Sequence, residues 1–127
     1  WIWLADEGRH KWVRPKQARE AIGVAGTHWV QLDAPRHLFL HTKMSMALLA
    51  SRSGFAITDV RYDSSAFQFW GSEQYLRGIP LRSPRSYAEN PGRSMFSQRQ
   101  IADFERRARE LNEAGQGDQA GFFLQPR

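Results

Sequence analysis

The sequence predicts an α/β domain, and three stretches of the chain carry that prediction. Residues 42–53 have the apolar spacing of a helix, and Gly54 follows them as a helix stop. Residues 55–62 then alternate as a strand does, and residues 120–125 form a further apolar strand that Pro126 closes. Because a helix, a glycine and a strand follow one another directly, we expect a sheet with flanking helices.

Composition limits the chain to one globular domain without thiol chemistry. Its 127 residues include eight Phe, five Trp and three Tyr, and no Cys. Disulfides, thiolate metal sites and cysteine nucleophiles are therefore excluded. No apolar run approaches the ~20 residues that span a bilayer, and no signal-peptide pattern is present, so we expect a cytoplasmic location and no membrane partner. Residues 1–26 form a lead-in of uncertain structure, and residues 27–127 form the domain.

The chain is organised around residues 29–41, an apolar segment with a polar corner in its middle. The apolar residues predict buried, extended chain on both sides of a bend at Ala34-Pro35, because proline fixes its own φ and keeps the preceding residue out of the helical region. Polar side chains held at the mouth of an apolar scaffold are typical of functional sites. The corner consists of Asp33, Arg36 and His37.

Two more helices are expected after the strand. Residues 63–65 offer caps for a helix at 66–77, although Gly71 weakens its continuity. Ser97 and Gln100 form a capping-box pattern before a helix at 98–114, and residues 78–95 between the two helices are predicted to form a loop. In the helix at 42–53, Thr42 is the expected N-cap, and both Met44 and Met46 are expected to fill core.

Most familiar catalytic motifs are missing. Asp33, His37 and His41 have a helical metal-ligand spacing, but Pro35 forbids a regular helix there, so we expect no metal site. A nucleophile elbow and a Gly-rich phosphate loop do not occur. His37 remains a candidate catalytic residue: the sequence allows it to be a general base or a structural donor to a carbonyl, and does not separate the two.

The net charge of +5 arises mainly in residues 9–19 and 77–93. Neither stretch is a compact block of like charge, so we interpret both as solvated surface and do not expect nucleic acid as a partner. The alternative is a small basic module in which loop 77–93 and the aromatic segment beside it grip an anionic partner such as nucleic acid.

Residues 29–42 (WVQLDAPRHLFLHT) resemble a segment of a bacterial branch of the class I S-adenosylmethionine-dependent methyltransferases. The resemblance continues in the same order through several short segments. They are residues 53–55, 62–64, 67–75 (FQFWGSEQY), 79–81, 108–112 and 117–124 (GDQAGFFL).

This resemblance implies the C-terminal half of a Rossmann-like sheet with an antiparallel last strand. Residues 42–53 would be its last crossover helix, 55–62 the next strand and 119–125 the final antiparallel strand. The family's cofactor, S-adenosylmethionine, is held by an N-terminal Gly-rich loop that is not among these residues, so this chain alone is not expected to bind it or to be active.

The resemblance also implies that this half contributes the acceptor side of the cleft. By this resemblance, six residues would bind or cover a small-molecule or macromolecular methyl acceptor. Because the sheet would have an open edge, we also expect the chain to self-associate. A purely structural role is the alternative for each of the six. They are Asp33, Arg36, His37, Trp70, Glu73 and Tyr75.

Overall fold

The computed structural model describes residues 29–32 and 39–127, and this part of the chain is a mixed α/β structure. Its helices are α1 (Lys43–Arg52), α2 (Phe67–Leu76) and α3 (Gln98–Glu113), and its strands are β1 (Phe55–Tyr62) and β2 (Ala120–Pro126), with short 3₁₀ turns at Val30–Leu32 and Pro91–Arg93. The α/β prediction is confirmed at this level. Outside the described residues lie the lead-in 1–26 and the predicted bend at Ala34-Pro35.

The two strands pair antiparallel, as predicted, although two helices separate them in the chain. Phe55 faces Pro126 at one end of the ladder and Tyr62 faces Ala120 at the other. The register shifts between Ile57 and Asp59. Simple alternation would place those two side chains on one face, and the shift separates them.

One face of this sheet is covered by α1. Met46 of α1 forms a buried core with Ala120 and Phe122 of β2, and partly buried Ile57, Val60 and Tyr62 of β1 pack against it. Asp59 and Arg61 stay exposed on the other side, where the Arg61 guanidinium lies 4.8 Å from the centre of the Phe123 ring. The described sheet is therefore apolar on one face and polar on the other.

Helix α1 begins and ends as its sequence predicts, but a different face is buried. The Thr42 hydroxyl accepts from Ser45 N and Ser45 in turn accepts from Thr42 N, which forms a capping box. Gly54 ends the helix with φ of 78°. Met46 is 3 % exposed whereas Met44 is 82 % exposed, so the prediction that both methionines fill core is wrong for Met44. The sheet packs against the Met46 side of α1.

Helix α2 runs without interruption through Gly71. A side chain at this position would collide with a residue of another segment. A Cβ at Gly71 would lie 2.9 Å from Val30 Cγ2 and 2.8 Å from Phe67 Cε2. Val30 belongs to the turn Val30–Leu32, which is 3₁₀ and not extended as the sequence predicted. The helix begins on Ala66, which offers no side-chain cap, and Ser65 Oγ accepts from Phe67 N instead.

Helix α3 carries the second core. The predicted capping box is present, with Ser97 Oγ accepting from Gln100 N and Gln100 Oε1 accepting from Ser97 N. Phe96 and Ile101 stand at the positions of a hydrophobic staple, and both are buried in one cluster with Phe104. Trp70, Phe69, Tyr87 and Met95 pack around this cluster.

Candidate functional site

The predicted corner itself, Asp33, Arg36 and His37, lies outside the described residues. Their grouping and their roles stay a prediction. The structure does describe the turn that leads into the corner, Trp29–Leu32, and the groups that hold it.

That turn is fastened by a buried carboxylate. Asp118 is 1 % exposed, and its Oδ2 accepts from Trp29 Nε1 at 3.2 Å and from Gln31 Nε2 at 2.8 Å. A third bond runs from Val30 N to Ser72 Oγ at 3.0 Å. A buried carboxylate requires such donors to offset its lost hydration. Asp118 and Ser72 therefore fix the turn Trp29–Leu32 from two distant parts of the chain.

Sequence reasoning missed Asp118, since an aspartate after Gly117 has the appearance of an ordinary polar turn. Gly117 itself is buried against Ser64: a Cβ there would lie 2.5 Å from Ser64 Oγ. Asn112 brackets the Ser64 backbone, accepting from its N–H at 3.0 Å and donating to its carbonyl at 2.9 Å. Ser64 Oγ accepts from Gln119 N at 2.9 Å. These contacts set where β2 begins and hence where Asp118 lies. We call them the polar joint, which consists of Ser64, Asn112, Gly117 and Gln119.

The other three predicted site residues lie on α2, and the structure does not bring all of them together. Trp70 belongs to the aromatic cluster, with its ring centre 4.8 Å from that of Phe67 and 5.2 Å from that of Tyr87. Glu73 is half-buried one turn later, in nearly the same sector of the helix. Tyr75, also half-buried, points about 140° away from Trp70 at 100° per residue. Packing in the hydrophobic core explains the position of the Trp70 side chain.

The long loop after α2 is held by one buried side chain. Gln74 is fully buried, and its Nε2 donates to Ser86 Oγ at 3.1 Å while its Oε1 accepts from Tyr87 N at 2.7 Å. The backbone carbonyl of Gln74 also accepts from Ile79 N at 2.9 Å. The start and the middle of the loop are thereby tied to α2, a role that no sequence pattern indicated.

Exposed charges on the helices and the sheet largely neutralise each other. Arg106 lies between Asp103 and Glu110, which raise the pKa of its guanidinium above its usual value. The Arg61 guanidinium donates to Asp59 at 2.8 Å and lowers the pKa of that carboxyl below its usual 3.8. Such exposed surface pairs contribute little to stability.

The described residues provide no group of three His or carboxylate side chains that could hold a metal ion. His41, one of the three residues with ligand spacing, has its Nδ1 3.3 Å from Ser45 Oγ, beside the cap of α1. Asp33 and His37 lie outside the described residues, so the expectation of no metal at that triad is not tested.

In residues 29–32 and 39–127, no helix has both the length and the apolar character to cross a bilayer. No protein-family model, curated protein or solved structure matches this chain.

Proposed function

We propose that this chain forms the acceptor-side part of a class I S-adenosylmethionine-dependent methyltransferase, with the cofactor-binding half supplied by other residues. The observation that carries the proposal is the pairing of β1 with β2. A helix, a strand, two helices and a returning antiparallel strand follow in the order that the resemblance implies.

Surfaces left open in the described residues support the proposal. Two strands alone are marginal as a sheet, and each strand here has one edge without a described neighbour. Large apolar side chains are also exposed before and along α1: Phe39, Met44, Leu48 and Leu49. A further wall of sheet and helices, such as a cofactor-binding half, would cover both features.

The anchoring of Trp29–Leu32 gives the corner a fixed starting point. In-line methyl transfer depends on positioning and desolvating the acceptor, and a displacement of ~1 Å can cost ~100-fold in rate. In the proposed enzyme, Asp33, Arg36 and His37 bind the acceptor, and His37 removes its proton where the acceptor requires a base. Trp70, Glu73 and Tyr75 line or support the cover of the cleft.

The test is calorimetric titration with S-adenosylmethionine, run on two samples. The first is the 127-residue chain, for which we expect no heat even at millimolar cofactor. The second is this chain combined with the cofactor-binding half, sought as a Gly-rich strand–helix unit encoded upstream, for which we expect saturable binding. Adenosine serves as the control ligand.

Acceptor chemistry is tested on the same combined protein with methyl-labelled cofactor. The Arg36→Ala variant should keep cofactor affinity and lose methyl transfer to any acceptor that the parent protein modifies. An upstream coding region without a Gly-rich strand–helix unit, together with a lack of cofactor binding, would refute the proposal. A variant that loses cofactor affinity instead would refute the assignment of the corner to the acceptor side.

A further inference from the structure

The net positive charge of the described residues is concentrated in one loop. Loop 77–93 contains four arginines and one acid, Glu89. The rest of the described chain has eight basic and eight acidic side chains, so it is neutral. The four arginines of the loop are Arg77, Arg82, Arg85 and Arg93.

All four arginines are exposed. Arg82 donates to Glu89 at 2.7 Å, in a pair whose arginine side chain is 88 % exposed, so solvent weakens the pair and an anionic ligand can compete for the guanidinium. The charge of the loop is therefore presented to solvent and is not consumed within the fold.

The backbone of the loop that carries these charges is fixed by hydrogen bonds to α2. Gln74 ties it to α2 through Ser86 and Tyr87. Its positive charges are all guanidinium groups, which match phosphate in a planar, two-pronged geometry that lysine lacks. A held loop also loses less conformational freedom when it binds.

The aromatic ring of the loop packs against other rings of the fold, which favours binding through phosphates over binding through stacked bases. Tyr87 packs on Trp70, at 5.2 Å between ring centres, and on Phe96, at 6.3 Å. Unstacked bases bind on exposed aromatic faces, and Tyr87, the one aromatic residue of the loop, is half-buried. Contacts to phosphates, without base stacking, fit a duplex as well as a single strand.

We propose that loop 77–93 is a sequence-independent contact surface for the phosphates of double-stranded nucleic acid. This inference is independent of the methyltransferase proposal, and its test uses no cofactor. A lipid surface is the competing ligand, because the exposed Leu76 lies beside Arg77. The duplex is favoured since the loop adds no large exposed apolar side chain of its own.

The test is fluorescence anisotropy of a labelled 20-base-pair duplex with the whole 127-residue chain. Three to four phosphate contacts predict that affinity falls about 40- to 150-fold between 50 and 200 mM salt. Changing all four loop arginines to Gln should abolish most of this dependence. The matched control changes four exposed basic residues outside the loop to Gln and should retain at least half of the salt slope; they are Arg52, Arg99, Arg109 and Arg127.

Circular dichroism of both variants is the folding check, and we expect both to keep the parent helix content. Equal loss of affinity in the loop variant and the control would refute a localised surface. Tighter binding to vesicles of phosphatidylcholine with 30 % phosphatidylserine than to the duplex would assign the loop to lipid and overturn the proposal. A single strand bound more than tenfold tighter than the duplex would refute recognition through phosphates alone.

Discussion

Gly117→Ala is the substitution to which the structure assigns the clearest cost. The new Cβ would lie 2.5 Å from Ser64 Oγ and would also collide with Asn112 Oδ1. Neither neighbour is the end of a long, flexible side chain. Asn112 is held by two hydrogen bonds to the Ser64 backbone, so it cannot move aside without breaking them.

The magnitude follows from those bonds. Each of the two contributes about 1 kcal/mol, and leaving partly buried polar groups unsatisfied adds a similar amount. We therefore expect Gly117→Ala to lower the free energy of unfolding by about 3 kcal/mol. For a domain of this size the midpoint of thermal unfolding should fall by about 10 °C.

The assay is urea unfolding followed by circular dichroism at 222 nm. Gly92→Ala is the matched control, because a Cβ at Gly92 meets nothing within 4 Å, and we expect it to change stability by less than about 0.5 kcal/mol. In a chain that already carries Asn112→Ala, both hydrogen bonds are already lost and only the Ser64 contact remains, so the cost of Gly117→Ala should fall by about 2 kcal/mol or more.

A Gly117→Ala chain as stable as the parent would refute the polar joint as described. An unchanged cost in the Asn112→Ala background would show that the strain lies elsewhere.

Three further predictions concern the loop, the first core and one surface pair. Gln74→Ala should cost about 2–3 kcal/mol by leaving buried groups of the loop without their partner, and hydrogen exchange of the loop amides should speed up; unchanged exchange would contradict the tie to α2. Met46→Ala should cost about 2–4 kcal/mol in urea unfolding and Met44→Ala less than about 0.5, and equal costs would mean that the wrong face of α1 is buried. Because Arg61 lowers the pKa of Asp59 in the folded chain, any stability from this pair is present above the usual carboxyl pKa of 3.8 and is lost as pH falls through the lower folded value. The small difference in the free energy of unfolding between the parent chain and Asp59→Asn should therefore vanish in that acidic window. A difference that grows on acidification would contradict a lowered Asp59 pKa in the folded chain.

Local rules predicted the elements well where the signal was local. The helix at Gln98–Glu113 follows from its capping box, its staple and its apolar spacing, which lie within a few residues of one another. The strand Phe55–Tyr62 follows from alternation and from the glycine before it. Signals that depend on a partner were less reliable: Met44 and Met46 have the same chemistry, and only the position of the sheet decides which one is buried.

The substrate-binding role of the candidate residues stays a prediction. Trp70 packs in an aromatic cluster, and its neighbour Tyr87 comes from a loop that shows no pattern. Asp118 and Gln74 escaped attention because a buried polar residue looks like any exposed one until its partners are known. Their partners lie as far away as Trp29, 89 residues from Asp118 in the chain.

The sequence by itself determined the α/β composition, the order of the helices and strands from α1 to β2 and the capping boxes of α1 and α3, because these depend on residues a few positions apart. Only the tertiary structure decided which face of α1 is buried, why Gly71 and Gly117 must lack side chains, and that Asp118 fastens the turn before the polar corner. The physical reason is that burial, close approach and the satisfaction of a buried carboxylate are properties of segments that meet in space, and the local spacing of residue types carries no record of those meetings.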